Sequence, residues 1–384
     1  MTIALDCDSH LSETRTTWSD HIDPKFRDDA LTLEDDDLGW TWLTWRGKQL
    51  GLAEVQFPRQ PESIGEGRKR LAAGLPPEVH YDELLPRDHW DPRVRADTIA
   101  GFGLDASVVF PNFGLGWESE LAEDPPVLMA NLRAANRWMA NAVDEGQGRL
   151  LGVGHINLHD PAWAEQEIAN LAAAGIRLAM TAPAIANGRR LSHPDHDRVW
   201  AAFVDHGVTP VFHVGSFTPP FDLAWYANET DIGDSLLTSV FLWVAPALAL
   251  ADLILSGTLE RFPDLRIGVV ELSAHWVGQF LVMIDGASDF YALRHGGPLV
   301  PLAKRPSQYF YDHVRVAVLS YEDPARLIRH VGSEDTYMFG SDWPHTEGIL
   351  HPRADFEAVL PPDMSPTARE KLMHGNLAWL LRQD

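Results

Sequence analysis

The sequence predicts an α/β fold, a (β/α)8 barrel of the TIM type, and three observations point there. Short β-branched or apolar runs alternate with helix-period segments along most of the chain. Eight such runs occur, which suits a closed parallel barrel better than an open doubly wound sheet. No glycine-rich phosphate loop follows the first run, which weakens a dinucleotide-binding reading.

The predicted strands are Ile3–Cys7, Ala106–Phe110, Leu150–Ile156, Ile176–Met180, Thr209–Phe212, Arg266–Val270, Val314–Val318 and Thr336–Phe339. Between them, Pro126–Asp144 places Leu128, Leu132, Ala135, Trp138 and Met139 at spacings of three and four, one face of a helix. Asp160–Ala174 and His196–His206 show the same period. The chain of 384 residues exceeds a bare barrel of roughly 250 but fits one with insertions, so a single domain over 1–384 is expected. The segment 14–93, rich in Trp, Asp, Pro and Gly, breaks the alternation directly after the first strand. It is expected to be an insertion folded as a lid over the catalytic face, where barrel loops build pockets.

Charge and cysteine content narrow the function. A formal charge of −24 disfavours nucleic acid and anionic membrane surfaces as partners. The single cysteine, Cys7, excludes an intrachain disulfide framework and a thiolate metal cluster. Met1–Asp6 shows no basic stretch followed by an apolar core, so a cytoplasmic location is expected. The apolar segment Ser239–Gly257 contains Pro246 and Asp252, which favours a buried or subunit-contacting helix over a membrane span. A homo-oligomer such as a dimer is therefore expected, with a hetero-oligomer as an alternative.

The strand exits carry the chemistry. Asp6, Asp8 and His10 share one side of an extended first strand, with Cys7 on the other, and Glu13 follows. His213 ends the fifth strand. Glu271 ends the sixth, with His275 four residues on. The eighth runs into Ser341-Asp342-Trp343-Pro344-His345-Thr346-Glu347. Taken singly, Asp342 reads as a helix cap, His213 as a core histidine, Glu13 as a loop acid, His275 as a packing residue and Glu347 as a turn residue. Together they bring acids and imidazoles onto one barrel rim, where buried carboxylates need a cation or donors to offset desolvation. A divalent metal supplies that charge.

Asp8-Ser9-His10, His213 and the Gly340-Ser341-Asp342-Trp343-Pro344-His345 block together resemble the amidohydrolase superfamily, in its branch related to aminocarboxymuconate-semialdehyde decarboxylase. The similarity extends to Val109-Phe110-Pro111, Asn136-Arg137-Trp138, Glu260-Arg261-Phe262-Pro263-Asp264-Leu265 and Gly375-Asn376-Leu377-Ala378. It implies metal ligation by Asp8, His10, His213 and Asp342. Two departures stand out. Decarboxylases of this branch place a proton-handling His at the end of strand six, where this chain has Glu271. The carboxylated lysine that bridges two metals in related hydrolases has no counterpart, since Ile176–Thr181 contains Arg177 but no lysine.

The surplus of oxygen and nitrogen donors suits Fe or Mn as well as Zn. Three readings follow. The first is an O2-dependent monooxygenase with a dinuclear Fe or Fe/Mn centre on Asp8, His10, His213, Glu271, His275, Asp342 and His345. The second is a Zn-dependent hydrolase or non-oxidative decarboxylase in which Glu271, His275 or His345 moves protons. The third is a metal-binding structural subunit of a hetero-oligomer. Phe113, Trp117, Phe217, Phe221 and Trp225 suggest an apolar or ring-containing small molecule bearing a carboxylate or carbonyl. Arg177 and Arg315 either pair with that anion or balance the excess acids.

Overall fold

A computed structural model describes residues 3–114, 116–215, 221–226 and 236–383. Eight parallel strands follow one another around a barrel in chain order: β1 (Leu5–Leu11), β2 (Ala106–Pro111), β3 (Leu150–His155), β4 (Leu178–Thr181), β5 (Thr209–Phe212), β6 (Ile267–Val269), β7 (Val314–Val318) and β8 (Tyr337–Phe339). The ring closes just beyond β8, where Ser9 bridges Trp343 in parallel. Two backbone bonds seal it there, Asp342 N–H to the Asp8 carbonyl and His10 N–H to the Trp343 carbonyl, both 2.8 Å.

Helices start where local chemistry directs. Asp160 accepts from the N–H groups of Ala162 and Trp163, and Pro161 opens the helix Pro161–Ala173. The same Asp-Pro start precedes Pro92–Gly101 and Pro324–Val331. Helix Asp197–His206 ends at Gly207, whose φ of 63° is the left-handed conformation that a helix stop favours. The segment Ser239–Gly257 resolves into the end of a short helix, Leu236–Val240, and a longer one, Val244–Leu255. The longer helix buries Ala245, Leu250, Leu253 and Ile254 and exposes Leu248. Among the described residues, no helix is long and apolar enough to cross a membrane.

Two apolar layers hold the barrel. Inside it, Leu5, Cys7, Val108, Phe110, Met180 and Met338 belong to a cluster that Leu377 and Leu380 of the last helix, Asn376–Leu380, complete. Outside it, Val109, Ala179, Phe212 and Phe339 meet Leu171, Trp200, Phe203 and Leu253 of the helices. Each fully buried large side chain of this kind contributes about 2 kcal/mol.

The last helix lies against the N-terminal ends of the strands: the Thr209 hydroxyl donates to the Leu380 carbonyl at 2.7 Å. Arg315 is at that same end, stacked 3.9 Å from the Trp379 ring and bonded to the Tyr311 and Val314 carbonyls. Arg177 precedes β4 and reaches the His206 carbonyl. Both arginines therefore sit at the end opposite the strand exits, which removes them as substrate anchors. A side chain at the start of a strand cannot reach over the barrel to its mouth.

The segment 14–93 contains a three-stranded antiparallel sheet, Thr32–Asp35, Thr41–Trp45 and Lys48–Leu52. It bonds to the β8 exit, with Arg59 N–H donating to the Thr346 carbonyl and Thr346 N–H to the Gln56 side chain, each 3.0 Å.

Close packing of helices on β3 depends on Gly152 and Gly154. A Cβ at Gly154 would lie 2.4 Å from Leu171, and one at Gly152 would lie 2.5 Å from Val143. We expect Gly154→Val to destabilise the fold by roughly 1–3 kcal/mol through overpacking, read as a lower urea midpoint with unchanged slope.

Candidate metal centre

β1 does not keep simple alternation. Its register against β2 shifts between Asp6 and Ser9, so Asp6 leaves the face that Asp8 and His10 share. The Asp6 carboxylate instead accepts from the N–H of Ser341 at 2.8 Å and of Asp8 at 3.1 Å, and from the hydroxyls of Ser341 at 2.6 Å and Ser107 at 2.9 Å. Burial pushes Asp6 up to about 7 against the pull of these bonds. Asp6 thus ties β1 to β2 and β8 and is not free to hold a metal.

Six of the predicted residues do meet. Asp8, His10, His213 and Glu271 form one group, and His10, Glu271, Asp342 and His345 form another; within each, the potential ligand atoms lie within 4.8 Å of one another. All six are buried. His10 Nε2 faces carboxylates of both groups: it lies 3.5 Å from Asp8 Oδ1, 3.6 Å from Glu271 Oε2 and 3.3 Å from Asp342 Oδ1. His213 Nε2 lies 3.2 Å from Glu271 Oε2 and 3.8 Å from Asp8 Oδ1. His345 stacks on His10 with ring centres 3.8 Å apart and turns Nδ1 to Asp342 Oδ1 at 2.8 Å. Phe110 packs 4.2 Å from the His213 ring and closes the floor.

These atoms fit a cation. Asp8 Oδ1, His10 Nε2, His213 Nε2, Glu271 Oε2 and Asp342 Oδ2 are buried without a hydrogen-bond partner. Such orphans cost roughly 1–3 kcal/mol each, and more when charged. The ring of His213 is set for ligation, because its Nδ1–H donates to the Val214 carbonyl at 2.9 Å and leaves the Nε2 lone pair facing the pocket.

Charge inside the cluster is strongly redistributed. Burial opposes a charge on His10, but Asp342, Asp8 and Glu271 outweigh it and hold the imidazolium well above its ordinary range. Burial and the charge of His10 likewise oppose protonation of His345, and Asp342 reverses the balance upward. Burial would raise Asp8, yet His10 and His213 bring it below the usual carboxylate range. Asp342 is depressed further by His345 and His10, again against burial. Glu271 goes the other way, raised by burial and by the charge of Asp342.

Local backbone geometry aims two of the acids. Glu271 and Asp342 adopt φ of 56° and 54°, left-handed conformations that non-glycine residues seldom take. Ser273 follows at 63°. This double turn after β6 carries the chain away from the pocket, so His275 is exposed and precedes the helix Trp276–His295. His275 is outside both groups, contrary to the expectation for it.

Glu13 is not a pocket ligand either. Buried and pushed up to about 7 by desolvation, it accepts the N–H groups of Asn112 and Phe113. This places Asn112 Oδ1 3.4 Å from His345 Nε2. Asn112 went unnoticed in the sequence, although it follows β2 directly, as His213 follows β5. Arg95 was also missed, and its helix carries no signal for it. Its guanidinium stacks 4.0 Å from the Trp343 ring and donates to the His10 carbonyl at 2.5 Å.

Of the aromatic candidates, Trp117 is buried against Trp18 and His155, and Phe113 lies 6.3 Å from Trp18. Phe221 packs on Phe241, whereas Trp225 is exposed. Phe217 lies outside the described residues. Glu347 takes the turn role expected of it, its carbonyl accepting from the Ser320 hydroxyl.

A parallel eight-stranded barrel with acids and imidazoles gathered at its strand exits defines a metal-dependent enzyme of the amidohydrolase type. The chain belongs to the amidohydrolase family, whose model, described as Amidohydrolase, matches residues 6–382. No curated protein matches the chain in sequence. Among solved structures, the chain is similar to an amidohydrolase from Mycobacterium avium subsp. paratuberculosis K-10, at 23% identity and a TM-score of 0.77, covering 99% of each chain. It is also similar to 5-carboxyvanillate decarboxylase from Sphingomonas paucimobilis, at 18% identity and a TM-score of 0.63, covering 100% of this chain and 99% of that one. A third is dihydroxybenzoic acid decarboxylase from Polaromonas sp. JS666 with bound manganese and the inhibitor 2-nitroresorcinol, at 15% identity and a TM-score of 0.64, covering 100% and 97%.

Two outcomes are expected. Replacing Asp6 with Ala strands the Ser341 and Asp8 N–H groups in the closure and should cost about 3 kcal/mol in equilibrium unfolding. Cation affinity should weaken on acidification, because His10 and His345, raised by their acids, must lose protons before a cation can sit among them. The dissociation constant for Mn2+, measured by titration between about pH 8 and 6, should rise roughly tenfold per pH unit for each proton displaced. A flat profile would show that the cation does not bind beside these imidazoles.

Proposed function

We propose that the protein is a non-oxidative decarboxylase of a small organic acid, with a single divalent cation held by Asp8, His10, His213 and Asp342. The observation that carries the reading is that the two donor groups share His10 and Glu271, and that His10 Nε2, a nitrogen with one lone pair to give, faces acids of both. A single ion at that shared vertex uses it without conflict. The oxygen-rich donor set suits Mn2+ as well as Zn2+, and manganese is bound by the dihydroxybenzoic acid decarboxylase of similar fold. Two of the similar structures are decarboxylases, which favours this chemistry over oxygenation as an argument from analogy.

A cation at this position would supply positive charge to orient the acid and to stabilise electron density as the C–C bond weakens. The chain's own residues supply the rest. Glu271, raised toward protonation by burial and by Asp342, stands where the related decarboxylases carry a histidine, and it is placed to deliver a proton. In the reaction the bond to the carboxylate breaks, its electron pair stays on the remaining carbon, and that carbon takes the proton from Glu271 as CO2 departs. No oxidant or reductant enters. His345, whose Nδ1 faces Asp342, keeps Nε2 beside Asn112 as a route for re-protonating Glu271. Phe110, packed on the His213 ring, contributes an apolar floor that limits solvation of the charged groups.

The second donor group, His10, Glu271, Asp342 and His345, is what favours a two-cation oxygenase as the rival. Incubating Mn2+-loaded protein with aromatic and aliphatic carboxylic acids under nitrogen separates the two. The expected result is CO2 release matching acid consumed, with no O2 requirement and a single metal per chain. Turnover only in air, with two metals per chain, would replace this reading by the oxygenase. Metal binding without any turnover would favour a structural subunit. At saturating Mn2+, Glu271→Gln should lower kcat roughly 10²–10³-fold while metal stays bound.

A further inference from the structure

Glu322, which the proposed chemistry does not use, lies buried in the β7 exit and points at the β6 exit instead of solvent. Its Oε1 accepts from the Ser273 hydroxyl at 2.8 Å, the Ala274 N–H at 2.8 Å and the His275 N–H at 3.1 Å. Its Oε2 accepts from the Leu319 N–H of its own loop at 2.9 Å. The three β6-exit donors directly follow Glu271 and Leu272, in the segment where Glu271 and Ser273 are both left-handed. Two non-glycine residues in that conformation within three positions cost of order 1–3 kcal/mol each unless surrounding bonds hold them. Glu322 supplies bonds that do so, from a neighbouring strand exit.

We propose that Glu322 is a positioning residue for Glu271, fixing the double turn after β6 so that the Glu271 carboxylate faces His10 and His213 in the pocket. The inference rests on the metal-centre reading above, in which Glu271 belongs to the cation pocket. The turn has few other anchors. The Trp276 indole N–H bonds back to the Ser273 carbonyl, which stiffens the turn itself but does not tie it to the barrel. Glu322 does, because its loop is continuous with β7, the partner of β6. It also leaves the first N–H groups before the helix Trp276–His295 satisfied by an acid, the sign that a helix start favours. Without that anchor the turn can relax toward ordinary φ values, and the Glu271 side chain would swing with it.

The test is a double-mutant cycle on Mn2+ binding, followed by titration and by the electron paramagnetic resonance line shape of bound Mn2+. Neither readout depends on turnover. Glu322→Gln keeps one acceptor oxygen but puts an amide N–H2 in place of the other, so the grip weakens without emptying the space. Glu271→Gln should weaken Mn2+ binding about tenfold, and Glu322→Gln by several-fold, with a matching change in line shape. In the double variant the Glu322 substitution should add less than about twofold, because its effect passes through Glu271. Ser273→Ala, which removes one bond of the set, should reproduce a smaller change and carries the same cycle if Glu322→Gln does not accumulate as folded protein. Full additivity, or Mn2+ affinity and line shape unchanged in Glu322→Gln, overturns the proposal. A wild-type protein that fails to bind Mn2+ would instead overturn the metal-centre reading, so the two failures are distinct.

Discussion

The closure of β1 against the segment after β8 is the contact on which the site depends. Two backbone bonds, Asp342 to Asp8 and His10 to Trp343, seal the barrel with the same residues whose side chains form the pocket. Barrel closure and pocket assembly are therefore a single event. Asp6 reinforces the joint from beneath by accepting from Ser341, Ser107 and Asp8. Arg95 braces it from the side through the His10 carbonyl and the Trp343 ring. The joint then presents Asp8 and Asp342 to a small space that Glu271 enters from the β6 exit, an arrangement that stays folded at modest cost only with positive charge among them.

Two devices aim the three pocket acids. Asp8 is turned inward by the register break in β1, and Asp342 and Glu271 by left-handed backbone. The imidazoles are aimed by hydrogen bonds and stacking: His213 through the Val214 carbonyl, His345 against the His10 ring. The break in β1 interrupts the ladder within a strand, and the other devices lie beyond the strand ends. In both places the ladder no longer dictates direction, and it can be chosen residue by residue.

That placement explains what could be read from the sequence. The barrel was legible because eight apolar runs and their intervening helical periods are local patterns, and β5 and β7 begin and end where those patterns do. The meeting of Asp8, His10, His213, Glu271, Asp342 and His345 was legible because a barrel brings all strand exits to one rim. Asp6 and His275 were not separable from them by pattern. A register break at Asp6 and left-handed turns at Glu271 and Ser273 decide their fates, and no glycine marks any of these positions. The three-stranded sheet of the insertion and its bonds to Thr346 were equally hidden, because long-range pairing of an irregular segment leaves no period in the chain.

Asp8 and His10 belong to the first strand, and Asp342 and His345 lie just past the last. A polypeptide still short of its final quarter thus carries Asp8, His10, His213 and Glu271 but neither Asp342 nor His345, however well its earlier strands have paired. Such a copy would hold one of the two donor groups intact but would lack the two backbone bonds that fasten the first strand to the segment after the last, so nothing would fix Asp8 and His10 in place.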